Sequence, residues 1–255
     1  ALEDAICDDT ILVSMMYVNN ELGTEEPVKE ASRIIKEKNP KILFHVDAIQ
    51  AYGKYKIQPK KLGIDLLSVS GHKIHGPKGS GFLYVNEKTK IQPIILGGGQ
   101  QKGMRSGTDN VPGIAGLGVA AKEAYQDFDE KIAHLKALKQ QFMNGLQDIP
   151  DVFIQGQSSE NGGAPHIVSV SVQDVRSEVL LHALEEKQIY ISSGSACSSK
   201  KLKVSAVLTE MGIAPATAEW ALRFSLSPHT TREEIAYAAQ KAGAIYEQLK
   251  KYARR

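Results

Sequence analysis

The chain has 255 residues, enough to bury a sizeable core as one large domain or two medium ones. Its hydrophobic content of 42% and charged content of 24% are those of an ordinary globular protein. Lysine and arginine total 31 against 29 aspartates and glutamates, so the formal net charge is +2; this gives no electrostatic case for nucleic acid or for an anionic membrane surface.

Residues 10–18 (Thr-Ile-Leu-Val-Ser-Met-Met-Tyr-Val) form a nearly continuous apolar run, the pattern of a strand buried on both faces. Pro27 marks a first helical turn, and Val28, Ala31, Ile34 and Ile35 carry that helix to Lys38. Strands follow over 42–46, 66–70 and 81–85, so the first half reads as α/β with a mostly parallel sheet. A glycine-rich loop covers 97–108, and one long helical stretch covers 111–146, with Ile132, Leu135, Leu138, Phe142 and Leu146 at helical spacing. Residues 167–172 alternate as a half-buried strand does, 178–187 read as a helix and 222–226 as a strand. Thr231-Arg-Glu-Glu234 is a capping box that opens a C-terminal helix to about Tyr252. This α+β pattern differs from the first half, so the expected domains are 1–125 and 126–255.

Cys7 and Cys197 are too few for a disulfide framework, which points to a reducing, cytoplasmic setting. No stretch approaches ~20 uninterrupted apolar residues, so no membrane span is expected. The start shows no secretory signal and reads like the middle of a fold. The basic runs at 200–203 and 250–255 read as a solvated face and a chain end.

Polar groups recur just after the expected strands: Asn19-Asn20, then Asp47, then His72-Lys73. Ligands of open α/β sheets bind outside the carboxyl ends of strands, so these clusters suggest one shared site. Lys73, between Gly71 and Gly76, is an odd choice for a surface charge and suits nucleophilic chemistry on a carbonyl; a solvated loop lysine is the plain alternative. Asp47 needs a cationic or hydrogen-bonding partner, which a protonated pyridine would supply; a cap or loop ion pair is its alternative. Cys197 sits among serines, alanine and glycine, with lysines at 200, 201 and 203, which suits an accessible thiolate better than an inert core thiol. Cys7 reads as structural, His45 as packed, and the other histidines show no metal spacing.

Five segments carry a resemblance: His45-Val-Asp-Ala-Ile-Gln50, Ser68-Val-Ser-Gly-His-Lys-Ile-His-Gly-Pro-Lys-Gly79, Gly103-Met-Arg-Ser-Gly-Thr108, Ser192-Ser-Gly-Ser-Ala-Cys-Ser198 and Ala221-Leu-Arg-Phe-Ser225. Together they resemble the signature stretches of cysteine desulfurases, in the branch that feeds iron–sulfur cluster assembly and tRNA thiolation. The resemblance implies a fold-type I transferase dependent on pyridoxal 5'-phosphate, with an incomplete large domain and a smaller C-terminal one. Lys73 matches the lysine that holds the cofactor, Asp47 the carboxylate on its pyridine nitrogen and Gln50 the partner of its phenolic oxygen. Ser70 and His72 match phosphate ligands, and Thr108 matches a residue reaching the phosphate of the other subunit in a homodimer. Asn20 matches a residue near the ring and the substrate carboxylate. Arg223 matches the clamp on that carboxylate, a role its bidentate fork suits, although a strand-edge ion pair is the plain alternative. Cys197 matches the residue that takes sulfur from L-cysteine as a persulfide and passes it to an acceptor protein. The family's glycine–threonine phosphate loop and ring-stacking histidine have no counterpart here, which implies exposed apolar surface where such elements pack. A selenocysteine lyase or aminotransferase would share Lys73 and Asp47 without needing Cys197, and a cofactor-free binding module is the non-enzyme alternative.

Overall fold

The structure is a computed structural model that describes residues 1–156, 162–193 and 205–253. It divides into two compact units, one of Ala1–Val18 with Glu26–Phe128, the other of Asn19–Glu25 with Asp129–Arg255.

The first unit contains α1 (Leu2–Ala5), β1 (Leu12–Met16), α2 (Val28–Lys38), β2 (Leu43–Asp47), β3 (Leu66–Ser70), β4 (Gly81–Val85) and α3 (Val111–Tyr125). Its sheet has the order β1-β2-β3-β4, with β1, β2 and β3 parallel and β4 antiparallel to β3. The directions follow from the connections: α2 carries the chain back between β1 and β2, whereas a short loop joins β3 to β4. Alternation places Phe44 and Val46 in the core and leaves Leu43, His45 and Asp47 half-buried on the other face of β2. On that face His45 is hydrogen-bonded to Ser14 Oγ (2.7 Å) and Ser68 Oγ (2.8 Å), a polar rung across three strands. Ion pairing of Lys36 with Asp65 (2.7 Å), which also accepts from the Phe44 amide, ties α2 to the sheet.

Contrary to the two-faced burial expected of residues 10–18, β1 is at the edge of its sheet among the described residues. Leu12 (47% exposed), Ser14 and Met16 share an outward face, and Ile11 beside them is 79% exposed. The apolar run is real, but among the described residues nothing covers that face. Phe82 and Leu83 at the opposite edge are exposed as well.

The second unit contains α4 (Phe128–Leu146, whose first residue belongs to the other unit), β5 (Val152–Gln155), β6 (Ile167–Val172), α5 (Ser177–Glu185), β7 (Ser192–Ser193), α6 (Ala206–Glu210), α7 (Pro215–Glu219), β8 (Ala221–Ser225) and α8 (Arg232–Ala253). Its sheet runs β5-β6-β8-β7 and is antiparallel throughout. Leu138 and Phe142 of α4, Val168 and Val170 of β6, Phe224 of β8 and Ile235 and Tyr246 of α8 share its main core. The long helix expected over 111–146 is two helices. Asp127 adopts φ 49° between them, a left-handed turn that aspartate tolerates better than most residues and that periodicity does not register. The strand at 167–172 is buried along its whole length rather than on one face. It lies between β5 and β8, and its serine side is also covered: Gln155 Nε2 donates to Ser171 Oγ at 3.2 Å. The capping box is formed as expected, Thr231 N donating to Glu234 Oε2 (2.8 Å) and Glu234 N to Thr231 Oγ1 (3.1 Å).

Candidate active site

In the first unit the polar residues gather at the carboxyl ends of β2 and β3, adjacent parallel strands with Asp47 opposite Ser68. Asp47 ends β2. Its Oδ1 accepts the amide of Ile49 at 2.9 Å, and Oδ2 has no hydrogen bond among the described residues. Gln50 lies half-buried in the turn that follows. Ser70 ends β3, and its hydroxyl is hydrogen-bonded to Nδ1 of His72 at 3.0 Å.

Lys73 sits in a single 3-10 turn, Gly71–Ile74, that ends at His75 with φ 64°. That turn is held from both sides. Gly71 N donates to Ser80 O (2.8 Å), Gly76 N donates to Gly71 O (2.9 Å), and Ile74 is buried against Leu117 and Ala120 of α3. The turn packs closely at Gly71, where a Cβ would approach Ser80 Oγ to 2.5 Å and Leu117 Cδ1 to 3.0 Å, so a larger residue would have to displace the Ser80 hydroxyl. The Lys73 side chain is half-buried, and its Nζ makes no hydrogen bond among the described residues. Thr108 is exposed on the loop before α3. That loop contains a second 3-10 turn, Gln100–Gly103, in which Gln101 and Lys102 are both left-handed.

The remaining expected site residues belong to the second unit. Arg223 is buried at the middle of β8. Its Nη1 donates to the main-chain carbonyl of Asn20 (2.7 Å), and its Nη2 donates to Ser192 Oγ of β7 (3.3 Å). Asn20 lies in a tight turn in which Asn19 Oδ1 accepts the amides of Glu21 and Leu22. Cys197 lies outside the described residues. The strand that leads to its segment, β7, pairs with β8, and Ser205 just after the segment caps α6 and donates to Glu21 Oε2. The Asn19–Glu25 turn is thus linked to described residues on either side of that segment, to Ser205 directly and to Ser192 through Arg223.

Cys7 is not part of a core. It is exposed, and its sulfur and amide both meet Thr10 Oγ1 in a small surface turn. Among the described residues no three His, Cys, Asp or Glu side chains stand close enough to hold a metal ion, and no helix is long and apolar enough to cross a membrane. His134 donates to Thr230 O, and His182 contacts Glu185. Missed from the sequence was Lys54, whose Nζ donates to the carbonyl of Lys73 at 2.8 Å. Its position seven residues after Asp47, beside Gly53, was the available signal.

Residues 1–237 match the family model described as aminotransferase class-V. The chain belongs to the class-V aminotransferase family. Among curated relatives of this family, "Cysteine desulfurase IscS" of Methanosarcina thermophila is 42% identical over 249 residues, 98% of this chain and 61% of the relative. A solved "NIFS-LIKE PROTEIN" superposes with a TM-score of 0.88 at 38% identity, covering 97% of this chain and 64% of its own. A second solved structure, "SspA in complex with cysteine", gives a TM-score of 0.67 at 33% identity over 90% of this chain and 62% of its own. The chain therefore spans a little over three-fifths of the length of the relatives it matches. Its α/β fold, the fold-type I architecture expected from the sequence, is shared with these solved neighbours.

Proposed function

We propose that the whole protein is a cysteine desulfurase dependent on pyridoxal 5'-phosphate, converting L-cysteine to L-alanine and taking the sulfur onto Cys197. The observation that carries this reading is the pair of adjacent parallel strands that end in Asp47 and in the Ser70–Lys73 turn. Their donor set fits the cofactor group by group: a carboxylate with one open oxygen for a pyridinium, an unengaged lysine amine for an aldehyde, and a hydroxyl and an imidazole for a phosphate. Gln50 would meet the phenolic oxygen, and Thr108 would reach the phosphate of a second copy in a homodimer. The cofactor supplies, when bound, an electron sink for a carbanion at the substrate Cα.

The chain's own residues do the rest. The Lys73 amine would hold the cofactor and, once free, would take the Cα proton of the substrate and return protons to the product. Arg223 grips the substrate carboxylate with its fork, and Asn20 stands beside it. In the structure the fork holds the Asn20 carbonyl and Ser192, so substrate binding shares or exchanges those contacts. The Cys197 thiolate attacks the substrate sulfur: an S–S bond forms, the C–S bond breaks with its electron pair left on carbon, and that carbon takes up a proton to give alanine. The persulfide then passes to an acceptor protein of iron–sulfur assembly or tRNA thiolation in the cytoplasm. The first unit would be part of the cofactor-binding domain, and the second would be the cysteine-bearing domain.

The test is the visible spectrum of the purified whole protein, with borohydride reduction and peptide mapping, followed by alanine release from cysteine. A yellow protein labelled on Lys73, whose Cys197→Ser variant keeps its colour but forms no persulfide, is the expected result. A protein that stays colourless with added cofactor overturns the reading, and persulfide formation by Cys197→Ser overturns the role of the cysteine.

A further inference from the structure

The turn after β2 brings a second lysine against the first. Residues 48–55 coil through consecutive turns, with Tyr52 N donating to Ala48 O and Tyr55 N to Ala51 O. This coil carries Lys54 back to the Gly71–Ile74 turn, where its Nζ donates to the main-chain carbonyl of Lys73 at 2.8 Å. The two turns also touch elsewhere. A Cβ on Gly53 would come within 3.1 Å of Ile74 Cγ2, and Tyr52 packs on the buried cluster of Ile74, Leu117 and Ala120. Tyr125 of α3 braces the coil from behind, its hydroxyl accepting from Gly53 N (3.2 Å) and donating to Tyr55 O (3.1 Å).

Among the described residues no carboxylate pairs with Lys54. Burial, followed by the charge on Lys73, lowers its pKa to about 8. A largely desolvated ammonium beside a like charge is costlier than an apolar chain of equal length, so packing alone does not explain a lysine here. The carbonyl it holds belongs to Lys73 itself.

We propose that Lys54 is a positioning residue for Lys73, gripping its main-chain carbonyl and thereby fixing the backbone from which the reactive amine is delivered. This rests on the reading of Lys73 as the cofactor-holding residue. The contact costs Lys54 the freedom of its own side chain and removes one degree of slack from a four-residue turn that carries the nucleophile.

The test compares the parent holoprotein with Lys54→Met, which keeps the length and removes the donor, and Lys54→Arg, which keeps donor and charge. Each is stripped of cofactor. The rate at which the visible band returns with added pyridoxal phosphate is then measured, together with the borohydride-fixed adduct on Lys73 and the thermal midpoint. The expected result is a return of the band about tenfold slower in Lys54→Met, the scale of one hydrogen bond to a charged group. Lys54→Arg restores most of that rate, and the thermal midpoint of Lys54→Met does not fall below that of the parent. A Lys54→Met protein that recovers its band at the parental rate, with the adduct on Lys73, overturns the role of Lys54 and leaves that of Lys73 standing. A slow rate that tracks a fallen thermal midpoint and is not repaired by arginine also overturns it, making Lys54 a packing residue. A parent with no adduct on Lys73 overturns both readings together.

Discussion

Asp47 is held by one oxygen and open at the other, and that asymmetry separates its structural duty from the chemical one proposed for it. Asp47→Asn keeps an oxygen to accept the Ile49 amide but loses the charge that would face a pyridinium. The expected outcome in the whole protein is a parental melting curve with alanine formation reduced about a hundredfold or more, the scale of one preorganised group aimed at a reacting centre. Lys54 yields a second prediction through its depressed pKa. Below about pH 8 it is protonated both folded and unfolded; between about 8 and the ordinary lysine value the unfolded chain binds more protons, so its contribution to stability rises with pH across that window. Lys54→Met removes this rise, which urea midpoints of parent and variant at neutral and mildly alkaline pH would reveal. Equal alkaline slopes in the two proteins would contradict it. The positions of Asp47 and Lys73 at strand ends were legible in the sequence because each is a polar residue at or just past the end of an apolar run, a local pattern. Lys54 was not, because its partner lies 19 residues away and only the coil at 48–55 brings the two together.

Among elements, α8 is the one whose start the sequence specified atom by atom, since a capping box is written in four consecutive residues. Thr231→Ala removes the side-chain acceptor for the Glu234 amide. It should cost about 1 kcal/mol and lower the melting temperature by a few degrees, measured by circular dichroism. The elements that departed from expectation did so for reasons outside their own windows. The break before α4 needs one left-handed residue, Asp127, inside an otherwise helical pattern. The complete burial of β6 depends on neighbours on both sides, which its apolar–serine alternation cannot announce. For β1, the apolar run was read correctly, but its burial depended on what lies against the strand. The strands β5 and β7, four and two residues long, fall below the length at which periodicity carries a signal.

For the whole molecule, each unit has its own sheet, and the second has a large core of its own. Leu138 is fully buried in that core. Leu138→Ala should destabilise the second unit by about 2–5 kcal/mol, the cost of lost burial plus an incompletely collapsed cavity. Trp220, the chain's single tryptophan, lies in this unit and reports its unfolding by fluorescence. An unchanged Trp220 transition in that variant would mean that the core in which Leu138 packs does not govern the unit's stability. The α/β class and the change to α+β in the second half were legible because hydrophobic periods survive over long segments. The membership of Asn19–Glu25 in the second unit was not, since seven residues with no period of their own join partners far along the chain. That membership has a consequence for biosynthesis. The turn leaves the ribosome among the first residues of this stretch, yet Gly23 O must wait for the Ala164 amide, Glu21 for Ser205 and the Asn20 carbonyl for Arg223. The second unit therefore closes around a segment made some 140 to 200 residues earlier, late in translation and at the entropic cost of a long loop. A nascent chain halted before Arg223 would hold its first sheet while the Asn19–Glu25 turn still lacked its most distant partner.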